Sequence, residues 1–237
     1  MNKRIPLYLY LFIIFLLFFV VLGGNKMITV ISESAPISNR TCYIIDAGHG
    51  GVDGGATSCT GVLESALNLE IALRLDDLMH LMGMETKMIR TTDCSVHTKD
   101  GSIAEKKISD LKERVRIANS TENAIVISIH QNYFIKSQYS GAQVFYNDQS
   151  VSKEIATILQ NNLNAVTNSK RNIKKADGVY FMDNVQCPGI LLECGFLSNP
   201  QEESRLRDAN HQKLLCSVIV SSVSCYMQQK DRYLTRE

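Results

Sequence analysis

TCYIIDAGHGGVDGG, residues 41–55, reads as an apolar run that ends in a glycine-rich turn carrying one histidine. Thr41 to Asp46 is short, rich in β-branched residues and bounded by turn formers, the pattern of a strand buried on both faces. Ala124 to Ile129 and Gly189 to Leu192 repeat it. Strands of that kind belong to an open, mainly parallel α/β sheet with helices over both faces. The helices are legible as well. Leu67, Ile71, Leu75, Leu78 and Met82 recur at helical spacing after Glu64. Val151, Ile155, Ile158, Leu159, Leu163 and Val166 make a second apolar stripe, and Leu214, Leu215, Val218, Ile219 and Tyr226 a third.

In such a sheet, ligands bind just beyond the carboxyl ends of the strands. His49, His130 and Glu193 each follow one of the three apolar runs, and Glu64 opens a helix at the same end. Two histidines and a carboxylate suit a hydrolytic zinc site, which keeps a fourth position open for water. Glu193 is the candidate for carrying that water's proton to the leaving group. The compact HExxH pattern is absent, so the fold must assemble any such site from distant segments. Each residue also has a plainer reading: hydrogen-bonded structural histidines, a glutamate at a helix start favoured by the dipole, glycines that only make a tight turn. Glu193 resists it, because a carboxylate between Leu192 and Cys194 needs a partner to be buried. Cys194 paired with a histidine is an alternative nucleophile. Neither GxGxxG nor GxxxxGK[ST] occurs, which speaks against a nucleotide cradle.

Taken in order, IIDAGHGGVDGGA, the helix opening at Glu64, ISIHQN, GAQVFY and ILLECGFLSNPQE resemble the zinc-dependent N-acetylmuramoyl-L-alanine amidases of peptidoglycan. The likeness spans about Tyr43 to Tyr226. It implies a six-stranded mixed sheet, one zinc ion on His49, Glu64 and His130, and Glu193 as catalytic base. The chain departs from the family's usual residues at Ala47, at Ser65-Ala66, at Gln131 and at Cys194. The last two are placed to alter the substrate cleft or the basicity of Glu193. GAQVFYN and GVYFMDNVQCPGILLECGFLSNP resemble the spore-cortex branch, which implies removal of stem peptides ahead of muramic-δ-lactam formation and germination. Asn132 and Arg171 are candidate substrate contacts. Two other functions stay open: an inactive, membrane-tethered peptidoglycan-binding protein, and a zinc peptidase cutting within the stem.

Export fits such a substrate. After Lys3 and Arg4, the run Ile5 to Asn25 carries no charge and is long enough to span about 30 Å of hydrocarbon at roughly 1.5 Å per residue. The expected layout is a signal peptide or uncleaved signal-anchor over 1–24, a linker over 25–40, a catalytic domain over 41–230 and a polar tail over 231–237. The protein would then act outside the cytoplasm, held at the membrane and, for the spore-cortex branch, in the cortex compartment. A net charge of +1 over 237 residues argues against nucleic acid as a partner. Seven cysteines without a CxxC pair outline no disulfide or structural-zinc framework, and most read as small buried hydrophobes. The polar stretch Thr91 to Lys107 is placed to border the substrate groove, ahead of a helix capped by Ser109. Gln131 to Ser140 is too short to hold the blocking helix of autoinhibited relatives, so control would fall to a protein partner, zinc supply or timed expression.

Overall fold

The apolar runs become the centre of a six-stranded sheet in the computed structural model, which describes residues 40–167 and 169–234. The strands are β1 (Cys42–Ala47), β2 (Glu85–Met88), β3 (Ala124–Asn132), β4 (Gln143–Tyr146), β5 (Lys174–Lys175) and β6 (Gly189–Phe196). Their order is β2-β1-β3-β6-β4-β5. The first four neighbours run parallel, β4 is antiparallel to β6, and β5 is parallel to β4. This is the mixed, mainly parallel sheet expected.

Among the described residues six helices connect and cover it: α1 (Glu64–Leu81), α2 (Ile103–Asn119), α3 (Ser150–Thr167), α4 (Tyr180–Asn184), α5 (Pro200–Leu206) and α6 (Ala209–Leu234). On one face Ile45, Ile127 and Leu192 pack with Leu67, Ile71 and Leu75 of α1, Ile155 and Leu159 of α3, and Ile219 of α6. On the other, Ile44, Val126 and Leu191 meet Ala118 of α2 and Phe181 and Met182 of α4. Adjacent strand residues divide between the two faces because side chains alternate. Val166 and Leu214, read as members of their apolar stripes, are exposed at the stripe edges.

Two expectations shift. The central strands run further than their apolar stretches: β3 extends to Asn132 and β6 to Phe196, so His130 and Glu193 lie inside paired strands as register partners. The helix after the polar stretch starts at Ile103 rather than near Ser109. Ser102 caps it by accepting from Glu105 N while the Glu105 carboxylate takes the Ser102 N–H, a reciprocal capping box. Ser109 lies within the helix and instead accepts from Thr98 N at 3.0 Å and Lys99 N at 3.2 Å, tying the loop down.

The described residues from Thr41 onward form one compact unit. Helix α6 continues to Leu234, through the start of the stretch read as a polar tail. The signal or anchor segment 1–24 and nearly all of the linker 25–40 lie outside the described residues. Among the described residues no helix is long and apolar enough to cross a membrane. All seven cysteines are free; Cys42, Cys194 and Cys216 are buried and the other four are at least partly exposed, so the buried kind is the minority.

Candidate metal centre

The turn after β1 carries His49 away from the sheet, and its backbone needs outside help because three successive carbonyls leave the ladder. Two buried guanidinium groups supply it. Arg90 donates to Ala47 O at 2.8 Å, Gly48 O at 3.1 Å and Ser65 O at 2.8 Å. Arg114 donates to Ala47 O at 3.0 Å and His49 O at 2.7 Å, and pairs with Asp46 and Asp110. Asp46 also accepts from Ser128 Oγ at 2.6 Å. Burial alone would raise the Asp46 carboxyl, but the charges of Arg114 and His130 and the bonds from Ser128 and Arg114 together outweigh it and hold the group below its ordinary value.

His49 itself sits at φ 61°, a left-handed backbone that non-glycine residues adopt at a cost and chiefly where surrounding contacts hold them. From there its Nε2 lies 3.3 Å from Glu64 Oε1, and His130 Nδ1 lies 3.0 Å from the same oxygen. The two imidazole centroids are 5.0 Å apart. One ligand atom from each of His49, Glu64 and His130 falls within 4.8 Å of the others, the only such metal-capable group found among the described residues. Glycines make the room. A Cβ on Gly48 would stand 2.2 Å from the His130 ring, and one on Gly55 would stand 2.6 Å from Glu64 Oε2.

Glu64 is fixed from several sides at the start of α1. It accepts from Ala56 N at 2.9 Å and Gln131 N at 3.2 Å, and Asn68 Nδ2 approaches at 3.4 Å. Burial raises its carboxyl, but the bonds and charges of His130 and His49 overcome this and hold it well below the usual carboxylate range. The reverse holds for His49: burial lowers it, and the bonds to Glu64 and Asp53 push it up to about 9. A carboxylate this acidic beside an imidazole this basic is a site built for positive charge, which protons supply until a cation does. Two imidazoles and a carboxylate at this separation fit zinc in donor type and number, with a position left open.

Glu193 faces the same place from β6. Burial, with the Glu64 charge adding to it, lifts its carboxyl to about 7 despite the opposing histidines. Its Oε2 is buried and has no hydrogen-bond partner among the described residues. An orphaned oxygen on a group that titrates near neutrality suits proton transfer to and from a reacting molecule. Beside these groups lies a cavity of about 240 Å³ between α2 and α4, walled by Val52, Leu111, Tyr180, Phe181 and Leu191 with Lys107 at its side. Ser95 of the polar loop also lines it.

The remaining sequence candidates lie on and after the same strands. Asn132 ends β3, partly buried, and its carbonyl accepts from Leu197 N at 2.8 Å. Arg171 donates to Ser140 O at 2.9 Å, stacks 4.8 Å over Phe196, and lines a separate open cavity with Lys170 and Arg205. Cys194 points to the opposite side of the strand from Glu193, into the core, and burial drives its thiol far above the ordinary range. That overturns its reading as a nucleophile. Between Gln131 and Ser140 the chain forms no helix, and it leaves Tyr133, Phe134 and Ile135 exposed.

Asp53, Lys107, Asn68, Arg90 and Arg114 were not singled out from sequence. Asp53 had a signal, as a carboxylate four residues past His49 in a turn otherwise of glycine and valine. Asn68 had one too, a polar residue one helical turn past Glu64 on an apolar face.

The sequence pattern of the N-acetylmuramoyl-L-alanine amidases matches residues 44–225. A germination-specific N-acetylmuramoyl-L-alanine amidase of Bacillus subtilis is 36% identical over 203 residues, covering 83% of this chain and 84% of that protein. The CwlD amidase of Clostridioides difficile, solved in complex with the GerS lipoprotein, superposes with a TM-score of 0.77 at 33% identity, over 80% of this chain and 99% of that one. An N-acetylmuramoyl-L-alanine amidase of Clostridium difficile gives 0.72 at 28% identity, over 81% and 100%. The chain belongs to the N-acetylmuramoyl-L-alanine amidase family.

Proposed function

With that family as premise, we propose that this enzyme hydrolyses the amide between the lactyl group of N-acetylmuramic acid and L-alanine with one zinc ion held by His49, Glu64 and His130. The supporting observation is the meeting of those three side chains opposite a buried carboxylate oxygen that has no partner. Zinc bound there would supply Lewis acidity, polarising a carbonyl and acidifying a water. Glu193 takes the proton from the attacking water at Oε2 and returns it to the departing alanyl nitrogen, a task for which a carboxyl near 7 is matched. His49 and His130, held by Asp53, Glu64 and the glycine turn, keep their ring orientation through the reaction. The apolar cavity between α2 and α4 receives the part of the substrate next to the scissile bond and keeps water from it.

Likeness to the germination-specific relative supports a narrower role: trimming stem peptides in the spore cortex so that muramic-δ-lactam forms and germination follows. The work is extracytoplasmic, with the N-terminal segment as membrane tether. A relative solved with a lipoprotein supports a regulatory protein partner of that kind here.

Glu193→Gln tests the chemistry. Purified sacculi treated with the native chain should release free stem peptides beginning with L-alanine, read by mass spectrometry. The variant should retain zinc and lose 10²- to 10⁴-fold in rate, roughly the contribution of a positioned acid–base group. Undiminished release would defeat the assignment, and cuts within the stem would point to a peptidase.

A further inference from the structure

Asp53 stands in a chain of contacts behind the metal centre. Its Oδ2 lies 2.9 Å from His49 Nδ1, its Oδ1 lies 2.7 Å from Lys107 Nζ, and Gly55 N donates to Oδ1 at 3.3 Å. An ionised carboxylate can only accept, so every neighbour must present a hydrogen to it. At His49 the contact engages Nδ1, and Nε2 is the nitrogen that faces Glu64 Oε1. We propose that Asp53, clamped by Lys107 of α2, is the positioning residue that presents His49 Nε2 to the ion.

The inference rests on the zinc reading above and adds what that reading needs. The two histidines are held differently. The His130 ring is pressed against Gly48 and presents Nδ1 to Glu64, so packing fixes it. The His49 side chain is 26% exposed on a turn of glycines, and the Arg114 bond fixes its carbonyl, not its ring. Gly55 packs against its Cδ2 edge, and among the described residues the Asp53 carboxylate is the hydrogen-bond partner of Nδ1. That carboxylate is itself 25% exposed, and free of Lys107 it would be able to turn toward water. Helix α2 thereby reaches the His49 ring through one ammonium group, as it reaches the His49 carbonyl through Arg114.

The test uses the full-length chain with Asp53→Asn and Lys107→Met. Competition with a chromophoric chelator should show zinc held about 10-fold or more weakly by the first, within the usual effect of losing such an outer partner, and about 3-fold more weakly by the second. Thermal unfolding of the metal-free chains should be unchanged; a merely structural role would move that reading and leave the affinity of the folded chain alone. Imidazole ¹⁵N spectra of the zinc-loaded native chain should show His49 bound through Nε2 with its proton on Nδ1. Native affinity in either variant, or ligation through Nδ1, would overturn the proposal. Should the native chain take up no zinc, the metal reading fails by itself. A crystal structure of the metal-free chain then decides: a His49 ring held by Nδ1 on Asp53 in the native chain and turned in Asp53→Asn supports Asp53 as the positioning residue, and a ring that keeps its direction in the variant removes it.

Discussion

Gly48→Ala places one methyl group where the structure leaves none. Its Cβ would lie 2.2 Å from Cε1 and Nε2 of His130 and 2.7 Å from Cδ2, whereas ordinary contact begins near 3.4 Å. The imidazole must therefore retreat by more than an ångström. Gly48 is also tied to the sheet by its N–H to Ile129 O at 3.0 Å, so the turn has little freedom to yield instead. Metal ligands tolerate displacements of only about 0.2 Å, which makes the loss of His130 as a ligand the expected result. Losing an outer partner costs up to about 100-fold in metal affinity, so displacing a ligand should cost at least that, or about 3 kcal/mol of binding. The overpacking should also destabilise the metal-free chain by roughly 1–3 kcal/mol. Gly48 itself needs no left-handed backbone, so the effect reads the ring contact alone. Gly61→Ala is the control: its φ of 86° is strained for alanine, yet nothing lies within 4 Å of the added atom. It should lower stability by about 1 kcal/mol and leave zinc untouched. Chelator competition and thermal unfolding measure both. Native zinc affinity in Gly48→Ala would refute the placement of His130 at the metal.

Arg114→Ala strands a buried Asp46 and unties the His49 carbonyl; removing one partner of a buried pair costs about 3–5 kcal/mol, which at roughly 2–4 °C per kcal/mol lowers the melting temperature by around 10 °C or more. A shift of only a degree or two, read by calorimetry, would contradict that account. Cys194→Ala trims a core side chain that faces away from Glu193, so release of stem peptides should stay within about 2-fold of native and stability should fall by about 1 kcal/mol. A hundredfold loss of rate with zinc retained would reinstate the thiol.

Much of this was legible because polar residues interrupt apolar runs. His130 after AIVISI and Glu193 within ILLEC are conspicuous in sequence, and a parallel sheet gathers strand ends on one edge whatever the loops do. Register is another matter. That His130 lies directly beside Glu193 follows from how β3 and β6 align, and no local pattern encodes that. The same limit hid Arg90 and Arg114. Each lies in an unremarkable charged stretch, and only the turn's unpaired carbonyls give it a purpose. The start of α2 was legible but misread: Ser102-Ile103-Ala104-Glu105 carries the S-x-x-E spacing of a capping box, whereas Ser109 anchors a loop through a helix it does not begin. Arg171 is a conspicuous cation whose contacts, a neighbouring carbonyl and a phenyl face, no local pattern encodes.

Gln131 is where structure changes the meaning of a sequence departure. A long side chain immediately after His130 is placed by sequence to alter the cleft or the basicity of Glu193. Strand alternation sends it the other way: Gln131 is 3% exposed and its Nε2 donates to Asn68 Oδ1 at 3.2 Å. Asn68, fully buried on α1, turns its own amide to Gly48 O at 3.1 Å and toward Glu64 Oε1. Its acceptor is used by Gln131 and its donors by the turn and the ligand, so it cannot flip without stranding buried groups. One added side chain on β3 thereby fixes an asparagine that braces both the carboxylate ligand and the turn bearing His49. Val52 and Tyr180 reach the cavity between α2 and α4, whereas Gln131 braces the cluster of His49, Glu64 and His130 from behind.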